Sequence, residues 1–201
     1  DQIDATALEN VTIAAEGDFL FQTNEVGQNA ADTFSQLNAG TVAGDFQAEL
    51  VGDIGAGGIG TGGAGDSNAT FTYTGAVGDD TLTVNDQDRN LDMGVEITLD
   101  IATGEGSDDV SIGSVGATND SAVLALALGA GSDTLSATAG SNLELGEEGD
   151  HIVEFGDGSD TLTSVDNAVN LQFAEVSGLE NVVADGNDVT LAATDLNSGG
   201  A

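Results

Sequence analysis

The chain contains no cysteine, no proline, no tryptophan and no lysine, and its only arginine is Arg89. Without Cys there is no disulfide, no thiol nucleophile and no thiolate metal site. Without Lys a phosphate-binding Walker loop is excluded. One Arg and one His cannot build the basic patch that nucleic acid or an anionic membrane requires, so neither is expected as a partner. Average usage would place about ten prolines in a chain of this length. Their absence suits long, uninterrupted backbone pairing and leaves strand edges without one of the usual blocks to edge-to-edge pairing. Aromatics are scarce, at seven Phe and one Tyr. The core must therefore come from Val, Ile, Leu and Ala, which favours regular layers of small and β-branched side chains. No run of apolar residues is long enough to span a membrane. Met occurs once, at Met93, so residue 1 is not an initiator. The chain is expected to be either the mature form after loss of a leader or a piece of something longer.

What is present is acid. There are 36 Asp and Glu residues and the formal net charge is −35. Two bare carboxylates ~5 Å apart repel by roughly 3 kcal/mol at an effective dielectric of ~20, and a charge of this size opposes compaction. Divalent cations, high salt or wide dispersal over the surface must relieve it.

The hydropathy pattern changes along the chain. "ATALENVTIAA" and "DFLFQT" near the N-terminus alternate as strands do. In residues 28–50, Phe34, Leu37, Val42 and Phe46 fall near helical spacing, which predicts a short helix. Residues 52–66 hold eight Gly in fifteen positions and read as a loop or a tightly packed segment. From Asn68 onward short alternating runs ("ATFTYTGAV", "DTLTV", "VEITLDI", "AVLALAL", "DTLTSV") are separated by Gly, Asp, Asn or Ser. The reading is two regions: 1–66, with strands, a short helix and a Gly-rich loop, and 67–201, an acidic Gly/Asp-repeat β domain. The fold class is all-β, with a parallel β-solenoid over the C-terminal two-thirds and a β-sandwich as the alternative.

An internal repeat appears when the loops are aligned on the Asp before a strand. Asp80, Asp108, Asp133, Asp150, Asp160 and Asp188 then fall at intervals of 28, 25, 17, 10 and 28. The 17 and 10 together make 27, which places Asp150 at a half-period. A second echo joins "ALENVTIAAEGDF" at residues 7–19 to "GLENVVADGNDV" at 178–189.

The loop consensus is G-x-G-[SN]-D-[TVD]-[LVI]. Gly allows positive φ, so the backbone can curl and turn its carbonyls inward, and Asp adds a short, hard oxygen ligand. Ca²⁺, with six to eight oxygen ligands of mixed kind, is the ion such a loop suits. Gly-Ser-Asp is also ordinary turn chemistry. The metal-ligand candidates are Asp79, Asp80, Gly106, Asp108, Asp109, Gly131, Asp133, Glu147, Asp150, Asp157, Gly158, Asp160, Asp185 and Asp188.

"FGDGSDTL" (Gly156, Asp157, Gly158, Asp160, Leu162), "LGAGSDTL" (Gly129, Gly131, Asp133, Leu135) and "TGEGSDDV" (Gly104, Gly106, Asp108, Val110) resemble the hemolysin-type (repeats-in-toxin, RTX) calcium-binding motif G-G-x-G-x-D-x-hydrophobic-x. "SGLENVVADGNDVTL" is similar to segments that adjoin such repeats in secreted bacterial surface proteins. The resemblance covers about residues 75–191. It implies bound Ca²⁺, a secreted or cell-surface location and a place among surface-layer proteins or adhesins, with copies of itself and cell-surface polysaccharide as partners. It departs from the family in two ways: the loops do not recur every nine residues, and the first Gly of the motif is absent. Scattered ions at selected turns and subunit contacts are therefore expected in place of a regular calcium ladder.

Other patterns carry less. "GAGGIG" and "GIGTGG" match G-x-G-x-x-G but sit in a glycine tract with no helix pattern after it. His151 is the single histidine, and a strand residue at a turn edge is the simpler reading than catalysis. Close carboxylate pairs carry no glycosidase signal among 36 acids. Asn10, Asn68 and Asn119 head sequons in a chain rich in Asn, Ser and Thr. The chain is not expected to be an enzyme. A calcium-stabilised structural protein that self-assembles outside the cell is the expectation. The alternatives are an RTX-like adhesin or accessory binding module, and a halophile's protein whose acids hold water in high salt.

Overall fold

The computed structural model describes residues 10–22, 36–52, 68–86, 96–113, 123–138, 142–145, 150–164 and 167–192. Among them are eighteen strands and no helix. In chain order these are β1 (Asn10–Thr12), β2 (Phe19–Gln22), β3 (Gln36–Asn38), β4 (Phe46–Gly52), β5 (Asn68–Thr74), β6 (Thr81–Asp86), β7 (Glu96–Glu105), β8 (Asp109–Ile112) and β9 (Val123–Gly131). There follow β10 (Thr134–Ala137), β11 (Leu143–Glu144), β12 (His151–Glu154), β13 (Asp157–Gly158), β14 (Thr161–Ser164), β15 (Val169–Leu171), β16 (Ala174–Ser177), β17 (Asn181–Ala184) and β18 (Val189–Leu191).

Every pairing is parallel. One sheet runs β1-β3-β5-β7-β9-β12-β16, with β13 also on β9; a second runs β2-β4-β6-β8-β10-β14-β17; a third, shorter one runs β11-β15-β18. The chain thus alternates between two sheets, advancing one strand in each per rung, and adds a third side in its last rungs. This is a β-solenoid, not a sandwich. Strands β1 to β4, from the N-terminal region, join the same two sheets as the Gly/Asp repeats.

Alternation sets the core. In the first sheet, Val11, Leu37, Tyr73, Ile101, Leu126, Val153 and Val176 lie in one register column. In the second, Phe21, Ala48, Leu82, Val110, Leu135 and Leu162 do the same. Most of these side chains are fully buried. Like residues stack on like, so each rung has the cross-section of its neighbours.

The short helix expected in 28–50 is not found where that stretch is described. Leu37 lies in β3, Val42 in the turn after it and Phe46 at the head of β4, and all three are buried; Phe34 lies outside the described residues. The helix-like spacing arises because a strand, a buried turn and the next strand each place one apolar residue in the core. Parallel pairing with rungs on both sides overrides local propensity. The glycine tract, with its two G-x-G-x-x-G matches, lies outside the described residues beyond Gly52.

Candidate cation site: the aspartate corner

Each passage from the first sheet to the second turns a corner, and the residue at the start of the second-sheet strand (its first residue in β2 and β4, the one just before it in later rungs) stands at its inner side. The register aligns Phe19, Phe46, Asp80, Asp108, Asp133, Asp160 and Glu180 there in one inner column. One residue earlier, Asp18, Asp45, Asp79, Ser107, Ser132 and Ser159 form an outer column. The two columns exchange character at the Asp79–Asp80 rung. Before it the inner position is aromatic and the outer acidic; after it the inner position is acidic and the outer Ser.

The inner carboxylates form a hydrogen-bond ladder. Asp80 N–H donates to Asp108 Oδ1 (2.8 Å), Asp108 N–H to Asp133 Oδ1 (2.9 Å), Asp133 N–H to Asp160 Oδ1 (2.8 Å) and Asp160 N–H to Glu180 Oε2 (2.9 Å). In the outer column the bonds point the other way: Asp45 N–H donates to Asp18 Oδ1 (3.3 Å), Asp79 N–H to Asp45 Oδ1 (3.0 Å) and Ser107 N–H to Asp79 Oδ1 (2.8 Å). Each acid thus caps a corner N–H that the strand ladders leave free.

Asp80, Asp108, Asp133 and Asp160 are at most 1% exposed. Asp80 has both oxygens engaged: Oδ1 accepts from Phe46 N–H (3.2 Å), and Oδ2 from Ala76 N–H (2.7 Å) and the Tyr73 hydroxyl (3.5 Å). The next three differ. Oδ2 of Asp108, Asp133 and Asp160 is buried with no hydrogen-bond partner. Thr103 lies close enough to Asp108 to favour its ionised form. Its hydroxyl proton is nevertheless committed to Leu128 O at 2.6 Å, so Asp108 Oδ2 still counts as unpartnered.

Burial dominates the electrostatics. It pushes the carboxyl pKa of Asp80 up to about 6, with Asp108 adding to the shift, and that of Asp133 up to about 6, with Asp108 and Asp160 adding. Asp108 and Asp160 shift the same way for the same first reason. The Tyr73 hydroxyl is raised by burial and then by Asp80. No Lys or Arg stands among the described residues to offset these charges.

Glycine closes the corner. Gly129 has φ +99°, and a Cβ there would run into Gly104 O; Gly131, two residues on, is packed as tightly on Gly106 O. The backbone-to-backbone stacking that the G-x-G element permits brings successive corners together.

The sequence candidates divide accordingly. Asp80, Asp108, Asp133 and Asp160 come together in the inner column, with Gly106, Gly131 and Gly158 in the corners beside them. Asp79 is in the outer column. Asp109 faces out from β8, Asp157 is exposed in β13, and Asp185 and Asp188 are exposed beyond β17. Asp150 is exposed just before β12, in the first sheet, so it occupies the opposite side of the rung, as the half-period suggested. Glu147 lies outside the described residues, as does the Asn119 sequon. Three acids of the columns are absent from the sequence candidates: Asp18, Asp45 and Glu180. "Gly17-Asp18-Phe19" and "Gly44-Asp45-Phe46" repeat the "Gly78-Asp79-Asp80" pattern and were a usable signal for the first two. Glu180 is a Glu with no G-x-G-S before it, so the Asp alignment passed over it. His151 is a core residue of β12 whose Nδ1 accepts from Leu124 N–H at 3.0 Å.

No family model, curated protein or solved structure matches the chain. The chemistry therefore rests on the column itself. Among the described residues no three acids gather into one compact cluster; the acids are strung out one per rung. Three consecutive rungs each offer one buried carboxylate oxygen without a donor. A hard cation or a proton satisfies such an oxygen; a carboxylate oxygen is the kind of ligand Ca²⁺ takes, but one per rung is short of the six to eight it requires.

Proposed function

We propose that this is a calcium-stabilised extracellular structural protein whose solenoids assemble with one another into a surface layer or filament. The observation that carries the reading is the set of unpartnered, buried Oδ2 atoms of Asp108, Asp133 and Asp160 in a chain of net charge −35. Bound at these corners, Ca²⁺ supplies positive charge where the protein has none, and its binding becomes folding free energy. The protein's own residues do the rest. The Oδ1 atoms hold the N–H groups of the preceding rung and so fix where each Oδ2 points. Gly106, Gly131 and Gly158 let the corners approach closely. The apolar column inside keeps water from competing at the buried face.

Assembly is supported by where apolar surface is left over. Phe19 (40% exposed) and Leu20 (52%) lie on β2, and Val182 (46%) and Val183 (47%) on β17. These are the first and last strands of one sheet among the described residues. Parallel edges bearing apolar side chains at opposite ends suit end-to-end β-addition between copies.

The test is circular dichroism and electron microscopy with chelator, then with millimolar Ca²⁺, against NaCl at matched ionic strength. A gain of β structure and of ordered sheets or fibres specific to Ca²⁺ is expected. Equal recovery in NaCl alone, or no response to either, overturns the reading. A polysaccharide-binding adhesin module is the second reading. It is favoured by the hydroxyls that Thr81, Thr83, Thr134, Ser136, Thr161 and Thr163 carry on the half-buried outer face of the second sheet. Calcium-loaded particles that stay monomeric and bind polysaccharide would support it.

A further inference from the structure

The Leu-Glu-Asn-Val element at residues 179–182 has no role in the loop consensus, yet it meets the column at its end. We propose that Glu180 and Asn181 form a clamp on the backbone of Asp160, and that Glu180 is the positioning residue for Asp160, the last buried carboxylate of the ladder among the described residues.

Four contacts converge on one corner. Glu180 Oε2 accepts from Asp160 N–H at 2.9 Å. Asn181 N–H donates to Asp160 O at 2.9 Å. Asn181 Nδ2 donates to the same carbonyl at 3.2 Å and to Ser159 Oγ at 3.2 Å. Asp160 is thus gripped on both its N–H and its C=O by consecutive residues of the next rung. Asp80, Asp108 and Asp133 are held in the same two-point way, by the carboxylate of the next rung on the N–H and by the following N–H on the C=O. What is added at Asp160 is the Asn181 side-chain amide, which no other inner-column corner among the described residues has.

Two further features set this corner apart. Gly178 has φ +76°, and a Cβ on it would lie 2.7 Å from Gly156 N, so only glycine lets the terminal corner approach this closely. Glu180 is also exposed, whereas every acid before it in the inner column is buried. Among the described residues the ladder therefore ends on a solvated carboxylate, free of the desolvation cost its predecessors carry. A charged acceptor makes this N–H bond one of the stronger kind. Because each N–H donates to the acid of the next rung, the backbone of Asp160 is set from Glu180, that of Asp133 from Asp160, and that of Asp108 from Asp133. Loosening at Glu180 should travel toward the N-terminus and weaken with each rung.

The clamp is tested in calcium-free buffer by amide hydrogen exchange. In Glu180→Ala the Asp160 amide should exchange about tenfold faster or more, Asp133 less so, and Leu82 in β6 unchanged. Glu180→Gln, which keeps an acceptor oxygen, should restore most of the protection. Unchanged exchange at Asp160 in Glu180→Ala overturns the clamp. If Glu180→Ala unfolds the whole chain, the unmutated protein decides: a through-hydrogen-bond coupling between the Asp160 amide nitrogen and the Glu180 carboxyl carbon supports it, and its absence overturns it. The positioning role rests on the calcium reading above and has its own readout. The Ca²⁺ midpoint of Glu180→Ala should rise severalfold and that of Glu180→Gln should stay near wild type. An unchanged midpoint in Glu180→Ala overturns positioning. If the unmutated chain takes up no calcium, the functional reading and the positioning role fall together, while the exchange arm still decides the clamp.

Discussion

At the scale of single residues, the inner column couples a corner cap to a desolvated charge. Asp80 and Asp133 have folded-state pKa values of about 6, above the ordinary Asp value near ~4. The raised value means that the folded state binds protons more tightly than the unfolded chain. Stability from these groups is present below about pH 4 and is lost as pH rises through about 6. Asp108 and Asp160 act in the same direction. Cation-free protein should therefore become more stable between pH 7 and pH 4, as measured by urea midpoints in chelator. With saturating Ca²⁺ the slope should reverse, because protons then compete with the ion. Asp133→Asn keeps an oxygen for the Asp108 N–H and removes the buried charge. It should stabilise the cation-free fold at pH 7 by about 1–3 kcal/mol and weaken Ca²⁺ binding, read by denaturation and calorimetry. Asp80, Asp108, Asp133 and Asp160 could be read from the sequence because each precedes an alternating run after a Gly-rich turn. That three of them have an idle oxygen and Asp80 does not could not. The difference depends on Tyr73 and Ala76, which reach Asp80 only once the corner has formed.

At the scale of elements, the corners limit what each strand can become. Strand identity was plain wherever apolar and polar residues alternated between Gly and Asp, as in Thr81–Asp86, Val123–Gly131 and Thr161–Ser164. It was obscured around Leu37 to Phe46, where a buried turn mimicked a helical repeat. Register was not evident either: intervals of 28, 25 and 27 between Asp80, Asp108, Asp133 and Asp160 become one straight column because the difference is absorbed away from the corner. Gly129→Ala should cost at least about 2 kcal/mol, combining positive φ with a backbone clash. Gly186→Ala is the matched control. Gly186 also has positive φ, at +81°, but nothing lies within 4 Å of its would-be Cβ, so the cost should stay near 1 kcal/mol. Denaturant midpoints of the two variants separate packing from conformation.

At the scale of the whole molecule, contacts are made almost entirely between neighbouring rungs, so stability is close to a sum over rungs and their interfaces. Hydrogen exchange should then be graded, with amides of β17 and β2 opening before those of β8 and β10; uniform protection would count against it. Added NaCl should stabilise the cation-free chain by screening its −35 charge over a Debye length of about 8–10 Å near physiological strength. Ca²⁺ should do the same at far lower concentration.

The exchange of character between the two columns at Asp79–Asp80 has a consequence for how such a chain can change length. On its C-terminal side, the corners at Asp108, Asp133 and Asp160 are interchangeable: Ser outside, Asp inside, Gly stacked on Gly. A duplicated rung, such as a second copy of residues 109–133 placed after Asp133, meets the same surface on both faces and should be spliced in without penalty at the corner. The Asp79–Asp80 rung is different: it has Phe46 on one face and Asp108 on the other, so a copy of it would meet unlike neighbours on its two sides. The molecule is thus a ruler with one fixed mark, extensible on one side of it by whole rungs.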